Sequence, residues 1–292
     1  GGVDSCYLLH WAVEQGLKPL AVHYDSGWNS ELSQKNIERL VTLLKVDLVT
    51  EIADWQSMRK IQLAFLRSGV SNCDIPQDHA FVSVLYKYAV KFRVFTILTG
   101  HNSATESILP TEWGYTSRDS VYLRSVLKSQ GLNIAKLKYP LTPSWKLLLF
   151  SKIMPFKYPL DQIVYDKEKA KEVLKENYQW VDYGGKHMES MFTSFFQSIY
   201  LPEKFNYDKR RAHLSSMIVS GQISRDDALS ELSKAPVDPN RRSESLEYIA
   251  NKLEITRLEL EKILQKGNNK NLFDFKYNKL IYFLRERKFH GE

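Results

Sequence analysis

Gly1-Gly2-Val3-Asp4-Ser5 begins the chain and leads directly into an apolar run with the spacing of an amphipathic helix, which we predict to end near Gly16. Two adjacent glycines let the backbone approach an anion closely, because no Cβ stands in the way. The free N–H groups and the dipole at a helix start also favour negative charge there. The stretch therefore predicts a phosphate-binding loop, to which Ser5 adds a hydroxyl. A tight turn that only caps the helix is the alternative.

Strands and helices alternate after this loop. Short apolar runs at 20–24, 46–52 and 94–98 predict strands, and segments with helical spacing separate them. This alternation is typical of a doubly wound α/β domain with a parallel sheet, whose ligands bind beyond the carboxyl ends of the strands. Three polar loops are expected to meet at that edge: 1–5, 25–29 and 99–106.

A second, helical domain is predicted after position 160. The strand pattern fades there, and helical stretches follow at 167–177, 190–200, 224–233 and 243–265. Prolines between positions 140 and 159 mark the boundary. We therefore divide the chain into an α/β domain, 1–160, and a C-terminal helical domain, 161–292.

The composition predicts a soluble globular protein. Hydrophobic residues make up 43% and charged residues 26% of the 292 residues, and no apolar stretch is long enough to span a bilayer. The two cysteines, Cys6 and Cys73, cannot form a disulfide framework and fit a reducing cytosol, so we predict a cytoplasmic protein without membrane contact. A net charge of +7 suits nucleic acid and anionic small molecules equally.

Polar residues that follow the predicted strands are candidate nucleotide ligands. Thr99, Gly100 and Asn102 lie where a strand runs into small and polar residues, and the carboxylate of Glu106 could help to hold Mg²⁺. A helix-capping turn with a surface glutamate is the alternative. His23 lies near the end of the first predicted strand, where a packed, hydrogen-bonded histidine is the more common role.

The first stretch resembles the pyrophosphate-binding motif SGGxDS of the PP-loop ATP pyrophosphatases, the adenine nucleotide alpha hydrolase-like enzymes that split ATP into AMP and pyrophosphate. The family's leading serine is missing, so we expect the complete protein to have an upstream strand that enters the loop. The resemblance implies ATP and Mg²⁺ as cofactors, with Glu106 as a metal ligand and with Asp4 and Ser5 as catalytic residues. The implied ATP and pyrophosphate ligands are Gly1, Gly2, Asp4, Ser5, His23, Asp25, Thr99, Gly100 and Asn102.

Four strings in the second domain resemble one PP-loop subfamily, the WbpG/PseA-like N-acetyl sugar amidotransferases of surface-polysaccharide biosynthesis. These strings are 180–190, 201–205, 208–215 and 220–228. Their clustered lysines, arginines and histidines could donate charge-assisted hydrogen bonds to phosphate or carboxylate groups, although charged helix surface is the alternative. With the loop at 73–79, the resemblance implies these substrate-binding residues: Asp74, Lys186, His187, Glu189, Lys204, Lys209, Arg210, Arg211 and His213.

The resemblance implies a reaction in which ATP adenylates the acetamido group of a nucleotide-linked sugar and ammonia displaces AMP, leaving an acetamidino group. Neither cysteine lies in a recognisable glutaminase setting. A separate ammonia donor, similar to the histidine-biosynthesis amidotransferase pair, is therefore implied as a partner, and no nucleic acid is expected.

Two other functions compete with this interpretation. A tRNA-modifying PP-loop enzyme, for thiolation or lysidine formation, would fit the basic charge, but Asn102 stands where that branch often has a second histidine. A nucleotide-binding or scaffold protein without catalytic activity is the third hypothesis.

Overall fold

A computed structural model describes residues 1–106, 116–183, 189–267 and 275–282. It confirms the α/β class, with helices enclosing short parallel strands. The strands are β1 Ala21–Asp25, β2 Leu48–Ile52, β3 Ile97–Leu98 and β4 Phe156–Lys157. The helices before position 160 are α1 Val3–Glu14, α2 Glu31–Leu44, α3 Trp55–Ser68, α4 Ile75–Lys91, α5 Ser103–Glu106, α6 Ser120–Ser129 and α7 Ser144–Ile153.

The described part of the chain after position 160 is helical, as predicted. Its helices are α8 Lys167–Tyr178, α9 Met191–Phe195, α10 Leu201–Phe205, α11 Lys209–Val219, α12 Arg225–Ser233, α13 Pro239–Leu253 and α14 Arg257–Gln265. A π-helical turn, Phe196–Tyr200, joins α9 to α10.

The strands form two separate parallel pairs in the described residues, and this differs from the single doubly wound sheet that we predicted. β1 pairs with β2 over five residues, from Ala21 opposite Leu48 to Asp25 opposite Ile52. β3 pairs with β4 over only two residues. An intersheet cavity of about 770 Å³ lies between β1 and β3, and its lining is mainly apolar side chains from both strands and from α1 and α4. Because this cavity separates β1 from β3, the two pairs do not join.

Local capping explains where several helices begin and end. Ser30, Asp54 and Asp208 each accept a backbone N–H of the first turn of the following helix. The predicted helix 243–265 is wrong as one element: Glu254 takes a left-handed conformation with φ 56°, and Thr256 caps a new helix. Helix α4 begins at Ile75 with Asp74 as its N-cap, so Asp78 lies inside its first turn.

One continuous hydrophobic core includes side chains from both sides of position 160. Residues of α3 and α6 pack in it with those of α9, the π-helical turn, α13 and α14. Trp28, on the loop after β1, is fully buried among them. A second cluster packs α1 against α8. The C-terminal helices therefore share buried surface with the first domain at the end of β1 and at α1.

No helix in the described ranges is both long and apolar enough to cross a bilayer.

Candidate functional site

A cavity of about 820 Å³, which we call the site cavity, lies at the N-terminus of α1. One wall consists of Gly1, Gly2, Asp4 and Ser5 together with the loop that follows β3. Residues from the start of α4 and from the C-terminal helices line the opposite wall. The predicted phosphate loop and part of the predicted substrate domain therefore face one common space.

The first turn of α1 presents backbone N–H groups at this wall. Gly2 is the N-cap in an extended conformation, and the first intrahelical bond runs from the Cys6 N–H to the Gly2 carbonyl, at 3.0 Å. The N–H groups of the three preceding residues have no intrahelical acceptor for that reason. The hydroxyl of Tyr183 accepts the N–H of Val3, at 3.1 Å. A Cβ at Gly2 would lie 3.5 Å from Glu189 Oε1 and 3.7 Å from the Tyr183 hydroxyl, so this helix start faces polar groups of the C-terminal region.

Asp4 and Ser5 make contacts that tie α1 to neighbouring elements. The hydroxyl of Tyr165 donates to the Asp4 carboxylate. Lys167 Nζ lies 4.0 Å from the second Asp4 oxygen. Burial, and then the charge of Asp4, raise the pKa of Tyr165, so that hydroxyl stays protonated and remains a donor. The Ser5 hydroxyl donates to the Gly2 carbonyl at 3.1 Å and leaves its lone pairs free for a donor in the cavity.

Gly100 brings the loop after β3 into contact with α1. A Cβ at this position would lie 2.8 Å from the Asp4 carbonyl carbon and 2.8 Å from the Ser5 nitrogen. These are backbone atoms, so no side-chain rotation could relieve the clash. The close approach of two predicted ATP-binding segments therefore depends on a glycine at position 100.

Asn102 and Thr99 stabilise this loop from within. Asn102 is fully buried, and its Oδ1 accepts the N–H of Thr105 at 2.9 Å and the Thr105 hydroxyl at 3.1 Å. The Asn102 amide donates to the Gly100 carbonyl at 3.3 Å. Thr99 Oγ1 accepts the N–H of His101. Asn102 thus has the geometry of a cap for α5, while Thr99 and Gly100 line the site cavity.

Glu106 lines the site cavity and pairs with His101. His101 Nδ1 lies 3.0 Å from a Glu106 oxygen, and this hydrogen bond raises the pKa of His101. Within the described ranges, no three His, Cys, Asp or Glu side chains form a preformed metal cluster. Mg²⁺ commonly takes only one or two protein carboxylates, so the prediction for Glu106 stays a prediction.

The end of β1 forms a polar turn below the phosphate loop. Asp25 accepts the N–H of Gly27 at 2.8 Å and amide groups of Asn29 and Gln34 at 3.1 and 3.2 Å. The Asn29 amide also lies 3.1 Å from His23 Nε2. Burial lowers the pKa of His23 to about 4. His23 is therefore neutral near pH 7, and its Nε2 accepts from Asn29. Asp25 organises this turn, whereas His23 lines the site cavity.

Asp74 lies in the opposite wall of the site cavity and is nearly buried. The Thr193 hydroxyl donates to one Asp74 oxygen at 2.9 Å, and the Gln77 amide donates to the other. Ser26 in turn donates to Gln77, at 2.6 Å. This chain of hydrogen bonds connects the β1 loop, the start of α4 and α9, so Asp74 has a fixed position in the wall.

The basic residues predicted to bind substrate lie in different environments. Lys209 lines the site cavity, with Nζ 5.9 Å from the centre of the Phe196 ring. Arg210 donates to both Asp208 oxygens and to the carbonyls of Glu231 and Lys234, so it ties α11 to the end of α12. Arg211 is exposed and is not part of the cavity lining.

The remaining residues that were predicted to bind substrate do not share one environment. The ammonium group of Lys204 is buried and donates to the carbonyls of Ile263 and Lys266, at 2.8 and 2.5 Å, which caps α14. His213 Nδ1 donates to the Thr105 carbonyl at 3.2 Å and connects α11 to α5. Glu189 lines the site cavity. Lys186 and His187 lie outside the described residues.

Several residues that line the cavity were not predicted from the sequence. Lys167 and Lys171 lie one turn apart at the start of α8, and Lys171 pairs with Asp182 at 3.5 Å. Tyr183 and Asp78 also face the cavity. An i, i+4 pair of lysines in a strongly charged helix resembles ordinary solvated surface, so only the packing of α8 against α1 distinguishes it.

Residues 189–287 match the family model of the C-terminal domain of WbpG-like LPS biosynthesis proteins. This part of the chain is similar to the C-terminal domain of that family, and we refer to residues 189–287 as the WbpG-like domain. No curated protein sequence matches the chain. The match begins at Glu189 and covers α9 to α14, and it therefore includes the wall residues Glu189, Thr193 and Lys209. The match indicates that the protein is an enzyme with a role in the biosynthesis of lipopolysaccharide or a related glycan.

Proposed function

We propose that this protein is an ATP-dependent N-acetyl sugar amidotransferase, which converts the acetamido group of a nucleotide-linked sugar to an acetamidino group. One observation supports this most strongly. The glycine-rich start of α1 and seven residues of the WbpG-like domain, from Glu189 to Lys209, line the same cavity, so a nucleotide and a sugar substrate could meet there.

The first step of the proposed reaction is attack of the acetamido oxygen on the α-phosphorus of ATP, with pyrophosphate as the leaving group. The open N–H groups at the start of α1 suit the charge that develops on the departing pyrophosphate. Lys167 and Lys171 supply positive charge at the same wall. These contacts support Gly1, Gly2, Asp4 and Ser5 as the pyrophosphate site.

The carboxylates along the cavity suit a hard cation. Asp4, Glu106 and Glu189 all contribute to its lining, and carboxylate oxygens are preferred Mg²⁺ ligands. When bound, Mg²⁺ would neutralise charge on the phosphates. We propose Glu106 as one ligand, and the hydrogen bond from His101 would orient its carboxylate.

The ammonia in this proposal comes from a separate glutaminase. Cys6 and Cys73 are both fully enclosed, and burial raises the pKa of each thiol. A buried thiol with a raised pKa is a poor nucleophile at neutral pH, so neither cysteine suits glutamine hydrolysis. Ammonium salts should therefore replace the partner in an assay of the purified chain.

We include the doubly wound PP-loop arrangement in this proposal. A further parallel strand, inserted between β1 and β3 and leading into Gly1, would join the two strand pairs into one sheet. The apolar lining of the intersheet cavity and the position of Gly1 in that lining support this. An experimental structure that includes the predicted upstream residues would refute it if β1 and β3 paired directly.

The products of ATP cleavage test the proposed function. Incubation of the protein with Mg·ATP, a UDP-N-acetyl sugar acceptor and an ammonium salt should yield AMP and pyrophosphate in equal amounts, together with the acetamidino sugar. Formation should require the acceptor, because the acetamido oxygen is the attacking group. Chromatography and mass spectrometry would detect the products. ADP and orthophosphate as the main products would contradict the proposal.

Lys209 should contribute to binding of the anionic acceptor. Lys209→Ala removes a charge that faces the site cavity, and loss of one charge-assisted contact of about 1.5–3 kcal/mol raises the acceptor KM by roughly tenfold to a hundredfold. Arg211→Ala is the matched control, since Arg211 lies on the same helix outside the cavity. The KM for ATP should change little in either variant. Equal acceptor KM values in the two variants would show that Lys209 has no role in acceptor binding.

A further inference from the structure

Asp78 is a carboxylate in the site cavity that neither the phosphate loop nor the predicted substrate residues account for. It lies in the first turn of α4, one turn after Asp74, and it lines the cavity opposite α1. The protein surrounds this side chain on most sides, yet its carboxylate remains open to the cavity. No side chain in the described ranges donates a hydrogen bond to it. Asp74, in contrast, is held by Thr193 and Gln77.

Titratable groups around Asp78 come from several elements of the structure. Asp74 precedes it, Glu106 approaches from α5, Lys209 from α11, and Tyr139 lies below it with its hydroxyl donated to the Pro76 carbonyl. Burial, and then the charge of Asp74, raise the pKa of Asp78 to about 7, while Lys209 opposes that rise. A base with a pKa near the working pH is the most effective for proton transfer at neutral pH.

We propose that Asp78 is the general base that accepts a proton from ammonia as it attacks the adenylated sugar. This inference rests on the proposed function. It assigns the second half of the reaction to the wall formed by α4 and the WbpG-like domain, opposite the phosphate loop.

The second half of the reaction consists of attack by ammonia, loss of a proton to Asp78 and expulsion of AMP. The lone pair of ammonia forms a C–N bond with the carbon of the O-adenylated, cationic imidate, and the C=N π pair moves onto the sugar nitrogen. The Asp78 carboxylate takes one proton from the new –NH₃⁺ group. The sugar nitrogen then re-forms its C=N bond and expels AMP, with the C–O electron pair leaving on the phosphate oxygen. The product is an acetamidinium ion, and protonated Asp78 returns its proton to water.

Asp78→Asn tests this role because the adenylation step comes before it. Acceptor-dependent pyrophosphate release, measured in a single turnover without ammonia, should stay within about twofold of wild type. Acetamidino sugar formation with an ammonium salt should fall about a hundredfold to ten-thousandfold. The wild-type rate, at constant free ammonia, should rise as the pH increases through about 7, because Asp78 must lose its proton to act as a base. This rise should be absent in Asp78→Asn.

Asp226→Asn is the matched control, since Asp226 lies in the first turn of α12 and outside the site cavity. Asp78→Glu retains a carboxylate and should recover part of the ammonia-dependent rate. If Asp78→Asn does not fold, a wild-type profile without a rise near pH 7 would overturn the proposal. Equal amidination by Asp78→Asn and wild type would overturn it too. Absence of acceptor-dependent pyrophosphate release from the wild type would instead overturn the proposed function.

Discussion

Gly100→Ala is expected to lower ATP-dependent AMP formation about a hundredfold. The added Cβ would lie 2.8 Å from two backbone atoms of Asp4 and Ser5, so the start of α1 or the loop after β3 must move. A displacement of about 1 Å in a positioned reacting group is enough for a hundredfold loss of rate. Steady-state measurement of AMP and pyrophosphate release would give kcat and the KM for ATP.

The same substitution should reduce stability only modestly. Forcing one methyl group into a packed contact typically costs about 1–3 kcal/mol, which lowers Tm by several degrees in a chain of this size. Gly267→Ala is the matched control, because a Cβ there meets no atom of the described residues within 4 Å. If Gly100→Ala and Gly267→Ala had the same rate and Tm, the close approach of the two loops would not be needed for activity.

The phosphate loop was predictable because its signal is local. Two glycines, a hydroxyl and the start of an amphipathic helix lie within a few residues, and they indicate both a helix start and an anion site. The contacts that support the loop are not local. Tyr165, Lys167 and Tyr183 lie more than 150 positions from Asp4 or Val3, and they reach α1 only because α8 packs against it.

Some structural roles have local sequence signals that our predictions did not include. Asp208 precedes the basic group 209–211 and has the position of an N-cap, so its contact with Arg210 could have been predicted. Thr256 and Glu259 have the spacing of a capping box and mark the break between α13 and α14. At 243–265 helical periodicity was given more weight than this cap, which hid the turn between the two helices.

The sheet was predicted less well than the helices for a physical reason. β3 is only two residues long, although the apolar run at 94–98 predicts five. Parallel strands are stabilised by neighbours on both edges, and β3 has β4 on one edge and the intersheet cavity near the other. The apolar run at 94–98 therefore favours a strand, but a strand of that length needs a second neighbouring strand to form.

Trp28→Ala is expected to have the largest effect on stability. Trp28 is fully buried, and its ring lies 5.1 Å from the ring of Trp55 and 5.1 Å from that of Phe192. Lys252 Nζ lies 5.4 Å from its centre. Removal of a buried tryptophan typically costs about 3–5 kcal/mol, so Tm should fall by about 10 °C. Trp145→Ala is the matched control, because Trp145 is 61% exposed.

Trp28→Phe should lower Tm much less than Trp28→Ala. The indole N–H of Trp28 makes no hydrogen bond within the described residues, so a phenyl ring leaves no new unpaired polar group.

The shape of the unfolding transition of Trp28→Ala tests whether the core is continuous. Trp28 packs against α3 and α9, and its carbonyl accepts the Met191 N–H at 2.9 Å, so it joins the β1 loop to the WbpG-like domain. Because this core is continuous, calorimetry of Trp28→Ala should show one cooperative transition at a lower temperature. Two resolved transitions, one at the wild-type Tm, would mean that the WbpG-like domain and the α/β region unfold independently and that Trp28 stabilises only one of them.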